Sequence, residues 1–263
     1  MIIEKKKQKF SYSSPDIFPI DQKSTLIPLS FAQESLWFFE QMHKEKPIYN
    51  VSVAFRLVGY LKIDIFQKSL NLLFEKHDIL RSNILINSSG SPIQVFSKSL
   101  LFPFEYIDLR NKEINLEQII NKETYKPFDS TNDLLICGKL YQTNSEEFVF
   151  LLTMDHLITD ESSLSLFFQE LSETYCSLLE KKVEVKEKPI LQYSDFSYWQ
   201  RQKINGPLLD RQLHYWKNQL SEVPTLNNIQ KDLTRAFPLS LKITTYSHRI
   251  SKNTLEIVTS PKI

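Results

Sequence analysis

The stretch from residue 134 to residue 178 limits the possible folds more than any other part of the chain. Residues 134–141 and 148–154 are apolar runs parted by the polar segment 142–147, and Leu164, Phe167, Phe168, Leu171, Tyr175 and Leu178 follow at helical spacing. Short apolar runs bounded by polar residues read as buried strands, here a hairpin, and the 3.6-residue stripe behind it reads as a long amphipathic helix. Strands that are apolar on both faces need cover, which commits the chain to helices laid on a sheet.

The other segments extend this pattern. Ala32, Leu36, Trp37, Phe39 and Met42 predict a short helix over 31–42 with Ser30 as its N-cap. Val51, Val53, Phe55 and Leu57 alternate with Ser52, Ala54 and Arg56, the period of a strand with one buried face. Ile63, Phe66, Leu70 and Leu73 predict a helix, 79–86 and 92–96 two strands joined by a turn, 104–107 a strand, and 113–125 a helix ended by Pro127. Helices are expected at 193–203 and 208–220, the second with Leu209, Leu213, Trp216 and Leu220 on one face. A last strand is expected at 242–250, with too few later residues to shield it. The class is therefore α/β (α+β), a mixed sheet flanked by helices, behind a polar, flexible tail at 1–24.

Composition excludes several functions. The 263 residues carry 32 Lys+Arg against 31 Asp+Glu, and a net charge of +1 argues against a nucleic-acid partner, which needs many cations facing phosphate. Lys5, Lys6, Lys7 and Lys9 form the one dense charge run, read as a solvated terminus. No apolar run approaches the roughly 18 residues of a membrane span, and no apolar segment follows the N-terminal charges as in a signal peptide. Cys137 and Cys176 are too few for a disulfide framework or a Cys-rich zinc site, so a reducing, cytoplasmic setting is expected. The chain has 4 glycines and no phosphate-binding glycine loop.

Five histidines are present, His43, His77, His156, His214 and His248, with no metal-ligand spacing among them. His156 stands apart, because it sits where the second strand of the hairpin turns into the long helix, a junction where α/β proteins expose reactive side chains. No Ser or Cys nucleophile motif accompanies it, which leaves acid-base work or the orienting of a nucleophile that arrives with the substrate. Asp155, its neighbour on the strand, should point to the opposite face, away from the imidazole. Asp160 is either an orienting carboxylate or a helix-start residue.

Several segments together resemble the N-terminal half of a nonribosomal peptide synthetase condensation domain, of the chloramphenicol acetyltransferase-like superfamily. Leu29-Ser30-Phe31-Ala32-Gln33 with Leu36-Trp37-Phe38 is similar to the S-x-A-Q-x-R-L-W motif, with Ser35 in place of the Arg. Tyr49-Asn50-Val51 resembles the start of the next strand, and Lys76-His77-Asp78-Ile79-Leu80-Arg81-Ser82 the R-H-E-x-L-R-T motif. Pro127-Phe128-Asp129 and Gln192-Tyr193-Ser194-Asp195-Phe196 through Trp199-Gln200 resemble two further signatures. The H-H-x-x-x-D-G motif falls on Asp155, His156, Asp160 and Glu161, with the first His and the Gly replaced.

The resemblance implies one chloramphenicol acetyltransferase-like lobe over 25–240 and a truncated start of a second lobe over 241–263, the rest of that lobe missing. It implies amide formation between thioesters on the phosphopantetheine arms of carrier proteins, with no cofactor or metal bound directly. His156 would position the attacking amine or take its proton, and Asp160 would hold the motif loop by an ion pair, for which Arg81 is the expected partner. Asp155 would be structural. Glu161 would intrude toward the substrate tunnel, at a place where a positive φ is expected. Asp155, Asp160 and Ser163 also resemble the D-x-x-x-x-D-x-x-S motif of the heterocyclisation subtype, while His156 and Tyr49-Asn50 favour ordinary condensation. Expected partners are peptidyl or acyl carrier proteins and the missing lobe or further synthetase domains. Three readings stay open: part of a larger synthetase, an inactive truncated remnant, or a protein-interaction module that keeps the fold.

Overall fold

The computed structural model describes residues 17–22, 25–43, 46–98, 101–181 and 188–224. The chain divides into two units, Met1–Ser221 and Glu222–Ile263, and every element below belongs to the first. The strand expected at 242–250 and the second-lobe start from 241 lie outside the described residues, as does most of the tail.

After the two-residue strand β1 (Ile27–Pro28), helix α1 (Phe31–Met42) begins at Ser30. The Ser30 hydroxyl accepts the Gln33 N–H at 3.2 Å and Gln33 Oε1 accepts the Ser30 N–H at 3.0 Å, so two of the helix's orphan donors are satisfied reciprocally. The chain continues through β2 (Asn50–Val58), α2 (Ile63–Lys76), a 3₁₀ turn at Asp78–Arg81, β3 (Ser82–Ile86), β4 (Pro92–Phe96) and β5 (Phe104–Asp108). Then come α3 (Leu116–Thr124), β6 (Ile136–Asn144), β7 (Glu147–Asp155), α4 (Glu161–Leu179), α5 (Tyr193–Lys203) and α6 (Gly206–Gln219).

Among the described residues the strands form two sheets, a larger one in the order β2-β7-β6-β5 and a smaller one in the order β1-β4-β3. Of their pairings only β5–β6 is parallel. The apolar runs are explained by the two faces of β6 and β7. Leu140, Phe150 and Leu152 join Phe66, Leu70, Leu73 and Phe74 of α2 and Phe167 and Leu171 of α4 in the main core. On the other face Tyr141 and Leu151 pack with Leu109 and with Leu116, Ile119 and Ile120 of α3. Gly138 leaves no room for a side chain, since a Cβ there would lie 2.8 Å from the Phe102 ring.

The long helix packs as its stripe requires. Phe167 and Leu171 are buried, and half-buried Phe168 meets the Phe55 ring of β2 edge-on at 4.4 Å. Glu170 ties α4 to α2 by accepting from Lys76 Nζ and His77 Nε2, both at 2.6 Å. Burial alone would raise the Glu170 carboxyl, but the His77 and Lys76 bonds outweigh it and hold the group below its ordinary value.

Three expectations are adjusted. The hairpin is tighter than read, because β6 and β7 run through to Asn144 and Glu147, with an irregularity between Gln142 and Asn144. The segment 79–86 opens as a 3₁₀ turn rather than as strand, and it feeds a separate small sheet. The apolar residues of α6 do not reach a core: Leu213, Trp216 and Leu220 are exposed. Among the described residues no helix is long and apolar enough to cross a membrane.

Phe150, buried and in contact with Phe66 at 5.0 Å between centroids, is expected to cost about 3–5 kcal/mol when replaced by Ala. The exposed Leu213→Ala should change stability by less than about 0.5 kcal/mol. Urea denaturation of the two variants checks both.

Candidate active site

His156, the residue singled out by the sequence, follows directly on the end of β7. Asn50 faces Asp155 in register, so the Tyr49-Asn50 segment lies beside Asp155-His156 although the two are far apart in sequence. The His156 N–H donates to the Tyr49 carbonyl at 3.0 Å, and the Tyr49 ring stands edge-on to the imidazole at 6.4 Å. The next two residues anchor the turn, because Leu157 and Ile158 are buried in the core. The Leu157 carbonyl accepts from Gln33 Nε2 at 3.0 Å. His156 itself is exposed.

Its tautomer follows from one contact. His156 Nδ1 lies 2.6 Å from the Thr159 carbonyl, and a carbonyl can only accept, so Nδ1 carries the hydrogen. The neutral ring therefore keeps its lone pair on Nε2, the arrangement a general base or an amine acceptor needs.

The neighbours fall into place differently from one another. Asp155 is buried and accepts the Leu157 N–H at 2.8 Å. Asp160 is the N-cap of α4, accepting the Ser163 N–H at 2.7 Å and the Ser163 hydroxyl at 2.6 Å. These two bonds hold its carboxyl below the ordinary aspartate value. Asp160 and Ser163 are thus brought together by capping, while Asp155 is not part of that group. Glu161 is the exposed first residue of α4 and has no positive φ, so helix formation satisfies the position without a glycine.

The expected Arg81–Asp160 ion pair is not formed. Arg81 is buried, and its guanidinium pairs with Asp78 three residues earlier on the 3₁₀ turn. Its Nε and Nη1 donate to the Phe74 and Ser97 carbonyls, both at 3.1 Å. Asp78 also accepts from Lys188 Nζ at 2.7 Å, so a local carboxylate takes the Arg81 charge.

Sequence reasoning passed over Glu40. It projects from the last turn of α1 to hydrogen-bond the Asp155 carboxyl, and burial together with the Asp155 charge pushes it up to about 9. Asp155 is raised too, chiefly by burial. The one sequence signal was indirect: a carboxylate that ends an apolar strand needs a partner. The pair lies on a cleft of about 440 Å³ whose walls include His43, Tyr49, Asn50 and Phe128. A smaller, mainly apolar hollow of about 220 Å³ lies among Leu80, Met154, Ile158, Leu166 and Phe167, with Ser163 and Tyr193 also lining it. Among the described residues no group of three His, Cys, Asp or Glu side chains is placed to hold a metal ion.

The remaining motifs clasp one another. Ser30 Oγ and Tyr193 Oη are 2.9 Å apart, and the Phe31 N–H donates to Gln200 Oε1 at 2.9 Å. Gln192 Oε1 accepts the Asp78 N–H at 3.0 Å, and Asn50 Nδ2 donates to the Lys126 carbonyl at 2.8 Å beside Pro127.

The described residues thus form a mixed α/β lobe in which an exposed histidine of fixed tautomer lies between a central strand and a long helix. Residues 23–260 match the family described as Condensation domain, and the chain belongs to that family. It is 31% identical over 253 residues to one of the linear gramicidin synthase proteins of Brevibacillus parabrevis, covering 89% of this chain and 3% of that protein. It is 32% identical over 225 residues to malpibaldin synthetase of Mortierella alpina, covering 84% and 4%. Among solved structures, the X-domain in complex with OxyB from teicoplanin biosynthesis superposes with a TM-score of 0.74 at 20% identity, covering 85% of this chain and 49% of that one. The first condensation domain of the CDA synthetase gives 0.65 at 18% identity, covering 77% and 52%. The chain thus spans a small fraction of the curated relatives and about half of the solved chains, whose likeness shows the fold.

Arg81→Ala is expected to destabilise the lobe by about 3 kcal/mol, near the lower end for breaking a buried pair because Lys188 still reaches Asp78. Asp160→Ala, which loses a helix cap, should cost about 0.5–2 kcal/mol. The two losses should add in the double variant, and a coupling well above 0.5 kcal/mol in urea denaturation would put the two residues back in one ion pair.

Proposed function

We propose that the chain is the N-terminal lobe of an amide-forming condensation domain of nonribosomal peptide synthesis, with His156 at the reacting amine. The observation that carries this reading is the Nδ1–H···O=C bond to Thr159, which leaves the His156 Nε2 lone pair available on an exposed turn. Substrates arrive as thioesters on the phosphopantetheine arms of carrier proteins. The acceptor amine adds to the donor thioester carbonyl, its nitrogen loses a proton to the imidazole as the tetrahedral intermediate forms, and the sulfur leaves as the carbonyl is restored, taking that proton from the imidazolium to become a thiol. His156 Nε2 holds the amine in line and receives that proton. A second lobe, corresponding to the other half of the solved chains, supplies the opposite wall of the reaction chamber.

A second reading, a protein-interaction module, is favoured by a specific departure. Asp155 and Glu161 replace the first His and the Gly of the family motif, and one structural neighbour is an X-domain in a complex with OxyB. Asp160 and Ser163 are absorbed in capping α4, which gives the heterocyclisation subtype no support.

In a domain carrying both lobes, His156→Ala should lower amide formation by about 10²- to 10⁴-fold without changing the fold. Mass spectrometry of products released from purified donor and acceptor carriers measures it. An undiminished rate removes His156 from the mechanism, and no product from the unaltered domain with any carrier pair moves the assignment to the interaction module.

A further inference from the structure

Asp155 and Glu40 meet under the reactive turn. Asp155 ends β7, is 5% exposed, and takes the Leu157 N–H on its carboxyl, so it is bonded to the turn that carries His156. Glu40 reaches toward it from α1 and lines the same cleft, so the two carboxyl groups are placed to share a hydrogen bond. Two ionised carboxylates have no hydrogen to place between them, so such a bond requires that one of the two be protonated. Among the described residues neither carboxyl has a cationic partner within ion-pair distance that would hold both ionised.

We propose that Glu40 and Asp155 share one proton and together position His156, clasping its turn to α1. The catalytic consequence rests on the role proposed above for His156, whereas the clasp does not. Removing the proton to solvent leaves two carboxylates in contact in a poorly hydrated place, and their repulsion separates α1 from the turn. The groups facing the pair are His43 on α1, Lys46 and Tyr49 in the following loop, Asp129 and Asp133 across the cleft, and His156 beyond Asp155. Glu40 rises from its ordinary 4.5 to about 9, with burial the largest cause. A folded-state value above the unfolded one means that the folded form binds the extra proton. The clasp's contribution is therefore complete below about 4.5 and is lost progressively as pH rises toward 9.

The test uses the whole chain and reads no catalysis. Thermal midpoints are measured from pH 5 to about 9.5 for the unaltered chain, Glu40→Gln and Asp155→Asn, each amide keeping one neutral partner in place of the shared proton. The His156 imidazole is followed by nitrogen-resolved NMR, its signals assigned by their absence in His156→Ala. The unaltered chain should lose a few degrees relative to both variants as pH rises, and His156 should leave the Nδ1–H tautomer near pH 9. Both variants should show a shallower fall, since burial alone still raises the remaining carboxyl, and an unmoved His156 signal. Parallel pH profiles in all three chains, or a His156 signal that moves alike in all three, would overturn the proposal. Should neither variant fold, an unaltered chain whose midpoint and His156 signal hold steady up to pH 9.5 overturns it, and a joint alkaline transition supports it. An active domain with a pH-independent clasp would sink this inference alone, and a working clasp in a domain indifferent to His156→Ala would sink the catalytic role alone.

Discussion

Gln33 is 3% exposed, and the position of the turn that carries His156 depends on what its side-chain amide bonds. Its oxygen accepts the N–H of Ser30 at the start of α1, and its nitrogen donates to the Leu157 carbonyl and, at 3.4 Å, toward Gln94 Oε1. Gln94 in turn donates to the Pro28 carbonyl at 2.9 Å and to Ser197 Oγ at 3.0 Å. A buried amide left without partners costs about 1–3 kcal/mol, so each member of this chain of bonds constrains the next. The start of α1, the small sheet, α5 and the histidine turn are thereby located relative to one another by buried polar groups.

This explains why the lobe can hold an exposed residue in a defined state. The groups adjacent to His156 along the chain are committed: Asp155 to Leu157 and Glu40, Leu157 and Ile158 to the core, Thr159 to the imidazole, and Asp160 to the start of α4. The ring's second nitrogen is left open for the role proposed for it above. The proposed role of His156 as a base would therefore need little reorganisation of the turn, which is what preorganisation means for a single residue.

The elements with a strong period were legible in the sequence. The continuous apolar runs of β6 and β7, the stripe of α4 and the cap at Ser30 translate directly, because burial on both faces, on one face and at a helix start leave different marks on residue order. The 3₁₀ turn at Asp78–Arg81 was missed, since four residues carry no period of their own and Ile79 and Leu80 pass for strand. Arg81 was assigned the wrong carboxylate for a related reason: a 3₁₀ turn brings residues three apart onto one side, and Asp78 was closer than Asp160 could be. Glu40 left no local mark at all, because its partner comes from the far end of β7. The motifs that marked the family were visible as words, but their function as mutual clasps, Ser30 with Tyr193 or Asp78 with Gln192, exists only in three dimensions.

The pairing of β2 with β7 has a consequence for how the lobe comes into being. Asn50 and Asp155 are partners, so β2 must wait for about a hundred residues to be added before its neighbour in the larger sheet exists. At typical elongation rates of about 5–20 residues per second that interval is roughly 5–20 s, long compared with the time in which helices or hairpins form. Loop closure over such a span is also the slow kind of contact to make. The larger sheet therefore cannot be completed on the ribosome before β7 has been made. The pairing that completes the larger sheet is thus also the one that sets the turn bearing His156 beside Tyr49.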